Sequence, residues 1–155
     1  MSFGLRRAAA TAVAAAALLA GAASAFAKTT HPAVVAMSAT AHASLYNATQ
    51  ASAGSKAYGA NCASCHGAQL EGGVGPALSG ATLNTLAKNT KLSVGDMFTF
   101  LSQQMPLNAP ASLSKAQYAA IMAYILKYNG YPAGAKELTY DGAMKSTIVM
   151  HSAAK

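Results

Sequence analysis

The 155-residue chain has no tryptophan, two cysteines, four acidic residues and no arginine after Arg7. Two cysteines cannot build a disulfide scaffold, and four histidines scattered from His31 to His151 are too few for a histidine-rich metal store. A single apolar run cannot form a multi-span transporter. The missing arginines and the absence of any basic stripe argue against nucleic-acid binding, which relies on bidentate guanidinium contacts. No segment sustains an alternation of apolar and polar residues, so strands are not expected and the fold class is all-α. The length is that of one domain.

Much of the 53% hydrophobic fraction is alanine concentrated near the N-terminus. Arg6 and Arg7 precede the run Ala8 to Ala23, and Ala25-Phe26-Ala27 places small residues three and one positions before Lys28. This pattern predicts a signal peptide over residues 1–27, cut after Ala27, and export to the periplasm. As a membrane anchor the run is weakly apolar and barely reaches the roughly 20 residues a span needs, so no membrane span is expected after cleavage. Arg6-Arg7 lacks the fuller signal of twin-arginine export. Nine lysines against Glu71, Asp96, Glu137 and Asp141 then remain, a formal charge of +5. Such an excess suits a solubilising surface or weak steering toward an acidic partner.

The mature chain divides into an N-terminal extension (28–51), a central domain (52–131) and a C-terminal tail (132–155). The extension is rich in Ala, Ser and Thr, and disorder and partial packing through residues such as Leu45 and Tyr46 are both open. A short helix is expected from Ala53 to Cys62, followed by a glycine-rich loop from Gly67 to Gly80. Ser93 to Asp96 resembles a capping signal for a helix that ends near Met105-Pro106. After a second loop, Ser114 to Gln117 forms a capping box, Tyr118, Ile121, Met122 and Ile125 follow at helical spacing, and Asn129-Gly130 closes the element. The tail, with Pro132, Gly134 and Asp141-Gly142, is expected to wrap as loops.

The chemistry lies in Cys62-Ala63-Ser64-Cys65-His66, the C-x-x-C-H attachment signal for c-type haem. Two thiols three positions apart can each add to one vinyl group of the ring, and His66 is then placed to supply an imidazole nitrogen to the iron. Three rivals stand beside this. A thioredoxin-type redox pair needs a strand-helix-strand surround. A zinc site needs further ligands at finger-like spacing, which His31, His42 and His151 do not supply. A disulfide between cysteines three apart on a helix is strained.

With these residues the chain resembles the class I (mitochondrial-type) c-type cytochromes, in particular small bacterial periplasmic members, over about Gly54 to Tyr131. Gly54, Tyr58 and Tyr124 fall where the family crosses its first and last helices, and Gly75-Pro76-Ala77-Leu78 matches its Gly-Pro-x-Leu segment. The resemblance implies a cytochrome c fold, short helices and loops wrapped around one covalent haem c. It implies that Cys62, Cys65, His66, Pro76 and Met105 bind the cofactor, with His66 and Met105 on the iron and the Pro76 carbonyl fixing the imidazole tautomer. Met105 stands beside Pro106, 39 residues after His66, like the Met-Pro ligand loop of the family. Met97 and Met122 lie inside helices, where methionine is ordinary core filler. The missing tryptophan and mature arginine depart from the pattern, so Lys, Tyr or backbone amides would have to neutralise the propionates.

The function implied is one-electron transfer between Fe(III) and Fe(II), without a catalytic residue, for redox protein partners such as a periplasmic dehydrogenase or terminal oxidase. The segments 28–51 and 132–155 fit a version in which the chain is the cytochrome subunit of such a complex and these segments grip the partner. The alternative is a peroxidase-like haem enzyme with an open distal site, although no distal acid-base histidine or arginine is evident near the ligand loop.

Overall fold

A computed structural model describes residues 44–154. The signal segment, the extension up to residue 43, His31 and His42 lie outside the described residues. Among the described residues six helices follow one another: α1 (Ala48–Asn61), α2 (Ala63–His66), α3 (Gly80–Thr90), α4 (Val94–Gln104), α5 (Lys115–Tyr128) and α6 (Tyr140–Met144). Among the described residues the one extended pairing is an antiparallel bridge between Ser93 and Val149, so the fold is all-α. Within the same residues, no helix is long and apolar enough to cross a membrane.

The crossing of α1 over α5 organises the molecule. A side chain on Gly54 would put its Cβ 1.8 Å from the Ala120 carbonyl oxygen, so the α5 backbone occupies the space that any other residue would fill. One turn on, the Tyr58 and Tyr124 rings meet at 5.2 Å between centroids, at a tilt of 50°. Helix α5 presents Tyr118, Ile121, Met122 and Ile125 to the core, all buried. Its ends are cut as the sequence implies: Ser114 and Gln117 cap each other's backbone, and Gly130 adopts φ +88° after the Asn129 cap.

Three features differ from the sequence expectation. First, α1 begins at Ala48 rather than Ala53, because the Asn47 side chain accepts from the Gln50 amide at 2.8 Å. Second, α3 lies in a stretch for which no helix was expected. Its preceding Ser79 makes no capping bond and donates instead to the Leu70 carbonyl, while the Gly80 amide donates to the Ser152 hydroxyl, a partner 72 residues away. Third, the tail is not only loop. It contains α6, whose Tyr140 ring packs edge-on against Phe98 at 5.0 Å.

The tail also works as a strap. The first amides of α4, on Val94 and Gly95, donate to the carbonyls of Ile148 and Ser146, and the Met150 amide donates to Leu92. Asn84 exchanges two bonds with the Ser152 backbone, and the Ala153 amide donates to the Asn129 carbonyl. Helix N-termini leave amides without intrahelical acceptors. Here the tail satisfies those of two helices, so it is part of the core structure. The extension is tied in as well: Tyr46 is buried, its hydroxyl donates to the Tyr131 carbonyl at 2.6 Å, and the Gly134 amide donates to the Tyr46 carbonyl.

Candidate functional site

Helix α1 ends where Cys62 caps it, its amide donating to the Tyr58 carbonyl at 2.8 Å. The chain turns at once into the single turn α2, where the Cys62 carbonyl accepts from the amides of both Cys65 and His66. Two thiols and an imidazole are thereby set on one turn: Cys62 buried, Cys65 exposed, His66 half-buried, and both cysteines free. Burial, with the neighbouring Cys65, pushes the Cys62 thiol up to about 11, so it is neutral at ordinary pH.

The glycine-rich loop folds back over this turn. The Gly72 amide donates to the His66 carbonyl and the Gly75 amide to the Cys65 carbonyl. A Cβ on Gly75 would fall 2.8–3.2 Å from three atoms of the His66 ring, so glycine is what lets the backbone lie against the imidazole. The Pro76 carbonyl oxygen is 2.8 Å from His66 Nδ1. A carbonyl only accepts, so Nδ1 carries a proton, and in the neutral ring Nε2 is then the nitrogen with the lone pair. Tyr58 fastens the start of the loop by donating to the Gly67 carbonyl at 2.8 Å, and burial raises its hydroxyl pKa so that it stays a donor. The end of the loop is held by Asn129, whose amide donates to the Leu78 carbonyl at 2.9 Å.

The structure therefore brings Cys62, Cys65, His66 and Pro76 together. Met105 is carried by a different element: it is the C-cap of α4, half-buried against the core, at the start of the loop leading to α5. The other downstream methionines are differently engaged. Met122 and Met150 are core residues, Met97 lies within α4, and the Met144 sulfur accepts from the hydroxyls of Thr99 at 3.5 Å and Ser102 at 3.9 Å. His151 packs its ring against Tyr131 at 4.5 Å.

Sequence reasoning did not pick out Tyr118, Asn129 or Gly75 as site-shaping residues. In the sequence Tyr118 stands out only for its apolar spacing and Asn129 only as a helix terminator. Both in fact carry long-range bonds through polar atoms that periodicity does not reveal.

The rival chemistries find no support in this arrangement. Among the described residues no three His, Cys, Asp or Glu side chains converge to hold a metal ion, and no strand flanks the cysteine pair. A haem fits what is present: two unpaired thiols and an adjacent imidazole on one turn, with Nε2 left free by the Nδ1 bond and a glycine backbone cradling the ring. The family model described as cytochrome c oxidase, cbb3-type, subunit III matches residues 49–125, about half the chain, from the start of α1 into α5. No curated protein and no solved structure gives a match.

Proposed function

Since the chain belongs to the class I c-type cytochromes, whose business is haem-based electron transfer, we propose that it is an exported electron-transfer protein that carries one haem c and works in the periplasm. The observation that carries this reading is the single turn holding Cys62, Cys65 and His66, with Nδ1 tied to the Pro76 carbonyl. When bound, the haem supplies a one-electron Fe(III)/Fe(II) couple.

The rest is the work of this chain's side chains. Cys62 and Cys65 hold the ring through thioether links, and two thiols serve one haem. His66 would hold the iron through Nε2, while the Pro76 carbonyl keeps the proton on Nδ1 and makes the imidazole a better donor. Met105 would hold the iron through its thioether as the second protein ligand, and a soft sulfur donor would raise the reduction potential relative to a harder ligand. On this reading the chain acts as a carrier or electron-transfer subunit rather than an enzyme, the role typical of the cytochrome c family it matches.

The matched family is described as a subunit of a cbb3-type oxidase. On that ground the partners are redox proteins, with the chain serving a periplasmic oxidase or dehydrogenase as a carrier or cytochrome subunit. The lysine excess supplies weak attraction toward an acidic docking face. The lead-in with Arg6, Arg7 and the Ala25-Phe26-Ala27 site supports export.

The test is the intact mass of the protein exported by a host with a competent haem-maturation system. The expected product is residues 28–155 plus one haem. A product without added haem mass, or with two haems, overturns the proposal.

A further inference from the structure

The loop from Met105 to Leu113 has little to hold it. Residues 107–112 are all exposed, and the internal bonds are short-range: the Ala109 amide donates to the Pro106 carbonyl at 2.9 Å, and the Ser112 amide to the Ala109 carbonyl at 3.3 Å. Its two ends meet at one atom. The hydroxyl of Tyr118, on the first turn of α5 and 2% exposed, donates to the Met105 carbonyl at 2.6 Å and accepts from the Leu113 amide at 3.3 Å.

Phenylalanine would fill the same space. What the hydroxyl adds is a partner for two backbone groups at the edge of the core, which otherwise must find water or remain unpaired. A loop that reaches water to satisfy them is a loop that opens.

We propose that Tyr118 is the positioning residue for Met105: its hydroxyl closes the Met105–Leu113 loop and so sets how readily the thioether gives way to a foreign ligand. The inference rests on the reading of Met105 as the distal ligand. Tyr118 touches neither haem nor substrate in this account; it acts through the backbone of the residue that does. A small ligand can enter only when Met105 moves aside, so the entry rate reports how often the loop opens.

The experiment uses the haem-loaded mature protein and imidazole as the probe, with binding to the ferric protein followed by stopped flow. Tyr118→Phe keeps the ring and removes both bonds, and imidazole should bind about tenfold faster, since the 2.6 Å bond to Met105 counts as one ordinary buried hydrogen bond and the 3.3 Å bond adds little. Exchange of the Leu113 amide should accelerate in parallel. Tyr46→Phe is the control, since it deletes a buried 2.6 Å bond of the same kind to the Tyr131 carbonyl. It should leave imidazole entry at the wild-type rate. Met105→Ala removes the ligand itself and sets the upper limit.

If Met105→Ala is fast while Tyr118→Phe matches wild type, the inference is overturned and the ligand reading stands. The inference also falls if Tyr46→Phe is as fast as Tyr118→Phe, because the effect is then general loosening. If Met105→Ala binds imidazole no faster than wild type, the ligand reading fails and this inference fails with it.

Discussion

The Cys62–Leu78 side and the Met105–Leu113 side of the molecule are built on opposite plans. The first is an arch whose backbone is bonded to itself at Cys65, His66 and Leu70, fastened at one end by Tyr58 of α1 and at the other by Asn129 after α5. The second is a mostly exposed loop whose ends share one tyrosine hydroxyl. Covalent attachment and a fixed imidazole need a rigid frame, which the many bonds of the arch provide. On the proposed reading Met105 is a ligand that is held but replaceable and needs less, and the Met105–Leu113 loop supplies less. Regions with few buried contacts and exposed backbone are those that open most readily.

The comparison should break hardest at the helix crossing that carries the arch. Gly54→Leu drives a side chain into the Ala120 carbonyl, 1.8 Å from the ideal Cβ, and should cost about 3 kcal/mol or more. Denaturant unfolding of the haem-loaded protein measures it, and wild-type stability would remove the crossing from the account.

A smaller effect, confined to the arch, is expected from Gly75→Ala. Gly75 does not have a positive φ, so the backbone tolerates alanine and the effect comes from contact with the His66 ring. The ring must tilt or the loop must back away, at about 1–3 kcal/mol. Magnetic-resonance shifts of the His66 ring should move while the distal thioether band stays. An unmoved ring would show that Gly75 does not shape the proximal side.

The smallest effect concerns α4, which carries Met105 at its end. Two bonds from Ser93, one from its hydroxyl and one from its amide, lower the Asp96 pKa below the ordinary carboxylate value. A lowered folded-state value means the stabilisation is present above the ordinary carboxylate range and is lost as pH falls through the lowered value. Asp96→Asn should therefore flatten the acid limb of the stability profile slightly. An unchanged acid limb would mean that the capping box adds nothing measurable.

Much of this architecture was legible because it is local. The thiols and imidazole follow from a five-residue motif, and the starts of α4 and α5 from serine caps with a partner three residues on. The Gly54, Tyr58 and Tyr124 contact came from the resemblance rather than from periodicity, and the structure forms it. Helix α3 was missed because its cap is supplied by Ser152 from the far end of the chain, and no local window contains that bond. The start of α1 was missed because Asn47 lies in a segment whose composition reads as lead-in. The site-shaping roles of Tyr118 and Asn129 are hidden for the same reason: each acts through a polar atom whose partner is chosen by the finished fold. The tail looked like loop since it has little regular structure. Its role lies mostly in backbone donors and acceptors, which leave no mark on side-chain sequence, with the Ser152 hydroxyl beside them.

The central claim is that one iron, held between His66 and a replaceable Met105, passes single electrons. An optical redox titration of the haem-loaded mature protein, followed through the near-infrared thioether band, tests it most directly. The account predicts a single one-electron step, with the band present in the ferric wild type and lost in Met105→Ala. A high-spin ferric wild type without that band, or a band that survives in Met105→Ala, would contradict it.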